Sequence, residues 1–297
     1  MRLNAPGWTG EKAKRQGSSA PWQYQPVLSD REPGDEPTAL IHQPMSDCVP
    51  DLFSSVASDY ANFRPSYPGA FFDAFALRCG GSELAWDCGC GNGQASLALA
   101  RHFRTVIGTD ASADQLANAA AHERVQYRQA PASTSGLADA SVDAVLVAQA
   151  VHWFAGEEFN AEVRRVCRPG AAMAWIGYQL LQLEVQELQA VLETFYHQTL
   201  QPWWPPERRW VDRAYAGLPF PGEEWPFPDN LWIERQWTLQ ELLGYLGTWS
   251  AVEAARQAGA DTVATLATAL QAHWPEQGQQ HLAVRWPFIG RWGQVIG

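Results

Sequence analysis

The segment Asp87-Cys88-Gly89-Cys90-Gly91-Asn92-Gly93 follows a short apolar run, Leu84-Ala85-Trp86-Asp87, and precedes a helix expected from about residue 94 to 103. A strand, a glycine-rich turn and a helix in that order can cradle a nucleotide-type ligand. Gly89 and Gly91 admit backbone torsions that a side chain forbids, and the helix N-terminus offers unpaired N–H groups. Two cofactor classes use such a turn. A dinucleotide takes G-x-G-x-x-G, with its pyrophosphate on the helix N-terminus. Here the third glycine position of that pattern holds Gln94, and a carboxylate at the strand tip, Asp87, would repel a pyrophosphate. Asp87 suits a ligand carrying an ammonium group, such as the methionine part of S-adenosylmethionine. Asp110 ends the next apolar run, 23 residues after Asp87. An acidic residue about 20 residues on, at a second strand tip, can accept both ribose hydroxyls; a turn or helix-cap aspartate is the alternative use.

Other residues carry weaker signals. His152 follows a fourth apolar run, where substrate meets cofactor in an open α/β sheet. As a general base it could take a proton from a hydroxyl acceptor, whereas a carboxylate acceptor needs no base. A packed imidazole beside Trp153 is the competing reading, and Trp153 and Phe154 read as core or pocket wall. Cys88 and Cys90 form a C-x-C pair without further nearby ligands, which makes a poor metal or redox site. The cysteines number five, and none of their spacings pairs two C-x-x-C units, so no metal is expected and they read as reduced thiols.

These residues need a scaffold, and the chain supplies strand and helix patterns in alternation. Strands are expected at 84–87, 105–109, 125–129, 144–148 and 171–177, and helices at 94–103, 113–122 and 156–167, with Ser112 as a cap and Arg168-Pro169-Gly170 as a stop. A helix over 51–77 is interrupted by the prolines Pro65 and Pro68. Strand-helix alternation at this spacing predicts a doubly wound α/β sheet, mostly parallel, and the unbroken run at 144–148 suits its middle. After residue 180 the pattern changes. Helices are expected at 181–200, 239–249 and 263–274, an irregular Pro- and Trp-rich stretch at 202–228, an edge strand at 231–237 and a final antiparallel strand at 281–288. The organisation read from this is a tail at 1–44, a core at 45–180, and a Trp-rich cap at 181–297 that closes the sheet. Residues 1–44 mix Gly, Pro, Ser and charge without apolar periodicity and hold both lysines of the chain, Lys12 and Lys14. They read as a disordered extension, or as sequence upstream of a true start at Met45.

Composition bounds the function. The 297 residues are 46% hydrophobic and 18% charged, with a net charge of −11, so the chain can bury a core and repels nucleic-acid and anionic-membrane phosphates. No apolar run is long enough to span a bilayer and the N-terminus has no apolar leader, which points to the cytoplasm. Of the 15 tryptophans, most lie after residue 200, where they line an apolar pocket or bury the cap.

Taken together, these segments resemble a class I S-adenosylmethionine-dependent methyltransferase of the methyltransferase type 11 branch, close to trans-aconitate and related small-molecule methyltransferases. The carrying residues are Tyr60-Ala61-Asn62-Phe63-Arg64-Pro65-Ser66-Tyr67-Pro68, the glycine turn, Asp110, Ala130-Pro131-Ala132-Ser133, Leu137 to Asp143, and Gln149-Ala150-Val151-His152-Trp153-Phe154. Residues 242–250 add to it. The resemblance implies a Rossmann-like fold and S-adenosylmethionine as cofactor. It implies that Asp87, Gly89, Cys90, Gly91, Asn92 and Gly93 cradle the methionine and ribose portions and that Asp110 holds the ribose. Ala132 and Ser133 would sit beside the adenine; many relatives carry an acidic residue there, so the contact would fall to backbone or hydroxyl. Gln149 would lie below the sulfur, Tyr60 and Arg64 would cover the carboxylate end, and Trp153 and Tyr245 would wall the acceptor pocket. The implied partner is a small-molecule methyl acceptor, bound by a monomer or homodimer. Two other functions stay open on the residues alone: a nicotinamide-dependent oxidoreductase, and a protein that binds the cofactor without turnover.

Overall fold

The computed structural model describes residues 64–296. The expectations for the tail at 1–44, the start at Met45, the helix before residue 64 and the lid residue Tyr60 therefore lie outside the described residues. None of the described helices is long and apolar enough to cross a membrane.

Helix α1 (Gly69–Ala76) follows Pro68, and five strands then alternate with three helices. These are β1 (Leu84–Cys88), α2 (Gln94–Leu99), β2 (Thr105–Asp110), α3 (Ala113–Ala117), β3 (Val125–Gln129), β4 (Val142–Ala148), α4 (Glu157–Val166) and β5 (Cys167–Tyr178). Strands β1 to β5 pair in parallel in the order β3-β2-β1-β4-β5, which places the apolar run of β4 in the interior of the sheet. Alternation along the strands builds a core on each face. Ala144 and Leu146 join Ala172, Ala174 and Ile176 in one cluster; Val145 and Val147 join Met173 and Trp175 in the other.

The C-terminal part enters the same sheet. It contains β6 (Gln182–Leu183), α5 (Gln186–Thr194) running into a π-helical turn Phe195–Thr199, α6 (Arg208–Asp212), β7 (Gly222–Trp225), β8 (Trp232–Trp237), α7 (Leu239–Gly247), α8 (Ser250–Gln257), α9 (Thr262–Gln271) and β9 (Leu282–Val295). Strand β9 is antiparallel to each of its partners, β5, β6, β7 and β8. The fold is thus a Rossmann-like α/β sheet, with the parallel half holding the glycine turn and the antiparallel half built on one long strand.

Several elements differ from the sequence expectation for identifiable reasons. Ser112 caps α3, accepting from the Gln115 amide at 3.3 Å, but the helix ends at Ala117 rather than residue 122. The backbone of Ala120 is captured instead by tertiary partners: its N–H donates to the Asn92 carbonyl and its carbonyl accepts from the Tyr127 hydroxyl. Arg168-Pro169-Gly170 does end a helix, yet it lies inside β5, where a register shift against β4 and a left-handed Gly170 accommodate the proline. The expected helix at 181–200 opens with β6, the stretch 202–228 holds α6 and β7, and α8 had no signal separate from its neighbours. Strand β9 runs on past residue 288 to Val295, since Gly290, Arg291 and Gly293 hide a pattern that pairing with β5 and β7 supports.

Candidate active site

The glycine turn leaves β1 at a position fixed from both sides, with Asp87 paired in register with Gly108 of β2 and Leu146 of β4. The N–H groups of Gly89 and Cys90 both donate to the Thr109 carbonyl, at 2.8 and 3.0 Å, so the turn folds over the end of β2. Gly93 stands at φ +82° as the N-cap of α2, and a Cβ there would overlap the Tyr127 hydroxyl. At Gly89, φ +69°, a Cβ would come within 2.7 Å of the Ala150 methyl. At both positions a side chain is disfavoured by torsion and crowded by a neighbour.

Asp87 is fully buried. One carboxylate oxygen accepts from the Ser96 hydroxyl at 2.6 Å; the other has no hydrogen-bond partner among the described residues. Burial lifts its pKa from 3.8 to about 7, with the neighbouring Asp110 adding to the rise and the Ser96 hydroxyl opposing it. A buried carboxylate with an unsatisfied oxygen is costly, and a cationic ligand group would relieve it. Asp110 accepts from the Gly91 amide at 2.8 Å through Oδ2 and from the Ser112 amide at 2.9 Å through Oδ1. It locks the turn to the tip of β2, and each oxygen keeps a lone pair for a diol. Asn92 helps hold the far side of the turn through its carbonyl. The exit of β3 is tied to the same tip, as the Ala130 amide donates to the Asp110 carbonyl at 3.0 Å, and Ala132 and Ser133 follow, half-buried.

On the other side of β1, Gln149 follows β4 at φ +56°, a left-handed conformation that costs a non-glycine residue about 1 kcal/mol or more. It is held there by its amide, which donates to the Ile176 carbonyl at 2.8 Å, and by Nε2, which donates to the Tyr178 carbonyl at 3.3 Å. Gln149 lines a cleft with an empty volume of about 620 Å³, part of it open to solvent. The cleft wall also takes in Arg64, His152, Trp153, Tyr178, Arg208 and Tyr245. Arg64 donates to the Tyr178 hydroxyl at 3.0 Å and the Thr248 carbonyl at 3.2 Å and lies over the Tyr245 ring. The Gln94 side chain donates to the Pro65 carbonyl at 3.3 Å and so couples this segment to α2. Tyr245 is itself buried, accepting from the Trp286 indole at 3.1 Å.

His152 is buried against Trp153, and its Nδ1 has no hydrogen-bond partner among the described residues. Burial, with the Arg208 guanidinium adding to it, lowers its pKa from 6.5 to about 3, so the ring is neutral across the physiological range. Cys90 is buried beneath the turn, and burial, with nearby Asp87 and Asp110, pushes its thiol up; Cys88 is buried and shifted the same way. Among the described residues no group of three or more His, Cys, Asp or Glu side chains is placed to hold a metal ion.

The structure therefore brings the glycine turn, Asp87 and Asp110 together at the carboxyl ends of β1 and β2. It sets Arg64, Gln149, His152, Trp153 and Tyr245 around the adjoining cleft. Sequence reasoning missed Tyr127, which fills the space beside Gly93, and Tyr178 and Arg208, which face the cleft from β5 and α6. Nothing in Pro205-Pro206-Glu207-Arg208-Arg209 separates Arg208 from its neighbour.

A five-stranded parallel half-sheet with its ligand turn after β1 and an acidic residue at the tip of β2 defines the nucleotide-cofactor-binding α/β class. Residues 86–175 match the family model described as a methyltransferase domain. Over 212 residues the chain is 32% identical to "Putative methyltransferase DDB_G0268948" of Dictyostelium discoideum, covering 70% of this chain and 80% of that protein. It is 28% identical over 149 residues to "Probable S-adenosylmethionine-dependent methyltransferase CRG1" of Saccharomyces cerevisiae, covering 47% of this chain and 50% of the other. Among solved structures, "The Structure of a Putative Type II Methyltransferase from Anaeromyxobacter dehalogenans" is 45% identical, with a TM-score of 0.72, covering 79% of this chain and 99% of that one. The chain belongs to the class I S-adenosylmethionine-dependent methyltransferases, with S-adenosylmethionine as its cofactor. The nicotinamide-dependent alternative falls with that assignment.

Proposed function

We propose that this methyltransferase acts on a small-molecule acceptor that enters the cleft beside Gln149, and that the attacking oxygen or nitrogen is already unprotonated when it binds. S-adenosylmethionine supplies an electrophilic methyl group on a sulfonium. The orphaned buried oxygen of Asp87 favours the cofactor's ammonium, Asp110 its ribose hydroxyls, and the amides of Gly89, Cys90, Gly91, Asn92 and Gly93 the chain between them. Ala132 and Ser133 flank the adenine, Gln149 faces the reacting centre, and Arg64 covers the carboxylate end. Trp153 and Tyr245 wall the acceptor.

The observation that carries this reading is the cleft itself. It adjoins the cofactor turn through Gln149, and Trp153, Tyr178, Trp204, Tyr245 and Trp249 give it the concave aromatic wall typical of small-ligand sites. A His152 of pKa about 3 holds no proton at neutral pH and is too weak a base to take one from a hydroxyl. Its role in this reading is to shape the wall, and catalysis rests on positioning and water exclusion. The four described cysteines are free thiols, which supports a reducing compartment such as the cytoplasm.

The test is calorimetric titration of the full chain with S-adenosylmethionine, S-adenosylhomocysteine and NAD, followed by transfer of labelled methyl to a small-molecule library and to bulk protein and RNA. Micromolar binding of the first two ligands and label in the small-molecule fraction are expected. Label confined to protein or RNA overturns the acceptor assignment.

A further inference from the structure

The cleft is electrostatically unlike the rest of the chain. The whole sequence carries a net charge of −11, yet the residues facing the cleft include two arginines and no aspartate or glutamate. With His152 uncharged, the standing positive charge belongs to Arg64 and Arg208.

These two guanidiniums are engaged differently. Arg64 spends both terminal nitrogens on Tyr178 and the Thr248 carbonyl, as a strap between β5 and the C-terminal helices. Arg208 is fixed from behind. Its Nε donates to the Tyr196 hydroxyl at 2.7 Å and lies 3.5 Å from Asp212, while Tyr196 donates to the same Asp212 oxygen at 2.6 Å. The guanidinium carbon also lies over two rings, 5.0 Å from the centre of Trp204 and 5.5 Å from that of Tyr196. Tyr196 and Asp212 thus hold the Nε edge, and the Tyr196 and Trp204 rings flank the guanidinium. Among the described residues the two terminal nitrogens have no hydrogen-bond partner, and the side chain, 22% exposed, lines the cleft. A docked Nε with a free outer fork is the arrangement that pairs a carboxylate or another planar oxyanion through two hydrogen bonds. Trp204, Trp249 and Leu180 supply apolar wall beside it.

We propose that Arg208 is the specificity-determining residue of the acceptor site and that the acceptor is an organic anion, its carboxylate held by the Arg208 fork and its apolar body by the tryptophan wall. The inference rests on the small-molecule reading above. Arg208 acts on the acceptor and Arg64 on the cofactor side, so the two readings fail separately.

The experiment is calorimetric titration of the full chain, saturated with S-adenosylhomocysteine, with phenylacetate and octanoate and with their uncharged primary amides. The acids are expected to bind and the amides to bind at least ten-fold more weakly. Arg208→Gln should weaken the acids at least ten-fold, Arg208→Lys should restore part of that loss, and neither should change affinity for S-adenosylhomocysteine. A circular dichroism melt of each variant establishes folding. Amides binding as well as acids, or neither acid binding, overturns the proposal while leaving cofactor binding and the broader function intact. A loss of S-adenosylhomocysteine affinity in a folded Arg208→Gln protein also overturns it, because the guanidinium would then serve the cofactor's own carboxylate. Failure of the wild-type chain to bind S-adenosylhomocysteine at all would sink the functional reading beneath it.

Discussion

Replacing Asp87 with Asn separates what the site costs the fold from what it gives the ligand. In the folded protein burial raises the Asp87 pKa from 3.8 to about 7. A carboxyl whose folded pKa lies above its unfolded value favours folding least when it is ionised. Its penalty is absent well below pH 3.8, grows as pH rises, and is complete above pH 7. Linkage over that interval gives about 4 kcal/mol at pH 8 and about 2 kcal/mol at pH 5. Asn keeps an oxygen for the Ser96 hydroxyl and loses only the charge. Asp87→Asn should therefore be more stable than wild type at pH 8 by about 2–4 kcal/mol, roughly 5–15 °C in Tm for a domain of this size, with the advantage halved at pH 5. Cofactor affinity should move the other way. Loss of a charged partner for an ammonium is worth about 1.5–3 kcal/mol, so S-adenosylhomocysteine should bind roughly 10- to 100-fold more weakly at pH 8. Thermal melts at the two pH values and calorimetry at pH 8 measure both. A variant no more stable than wild type at pH 8 refutes the burial argument, and unchanged affinity removes Asp87 from the ligand.

Three further outcomes are expected. Asp110→Ala strips the Gly91 and Ser112 amides of their acceptor and the ribose of its partner, so calorimetry should show S-adenosylhomocysteine affinity falling about 10- to 100-fold. Gly93→Ala sets a methyl group against the Tyr127 hydroxyl at φ +82°, and urea unfolding should show a loss of about 1–3 kcal/mol together with weakened cofactor binding. Since burial holds His152 near pKa 3, the pH–rate profile once an acceptor is found should have no limb between pH 5 and 8 that disappears in His152→Ala; such a limb would make it a base.

How legible the molecule was varies by element. The parallel half was readable because its signals are local: unbroken apolar strands, a glycine turn and a Ser cap act within a few residues. The antiparallel half was less so. Strand β9 contains Pro287, Gly290 and Gly293, which read as breakers, and only its contacts with four other strands hold it extended. Helix α3 was read too long because Ala120 looks helical until Asn92 and Tyr127 take its backbone groups.

The same division runs through the site. The candidate cofactor end was legible in residue order: Asp87, the glycines and Asp110 sit at strand tips, and a strand tip is a position in sequence as much as in space. The proposed acceptor end takes shape only on folding. Whether His152 is charged depends on burial and on a guanidinium 56 positions away, which no spacing encodes. Whether Arg208 or Arg209 faces the cleft depends on how α6 packs against Tyr196 and Trp204. Charge state and side-chain direction follow from desolvation and packing, and those exist only once the chain has folded.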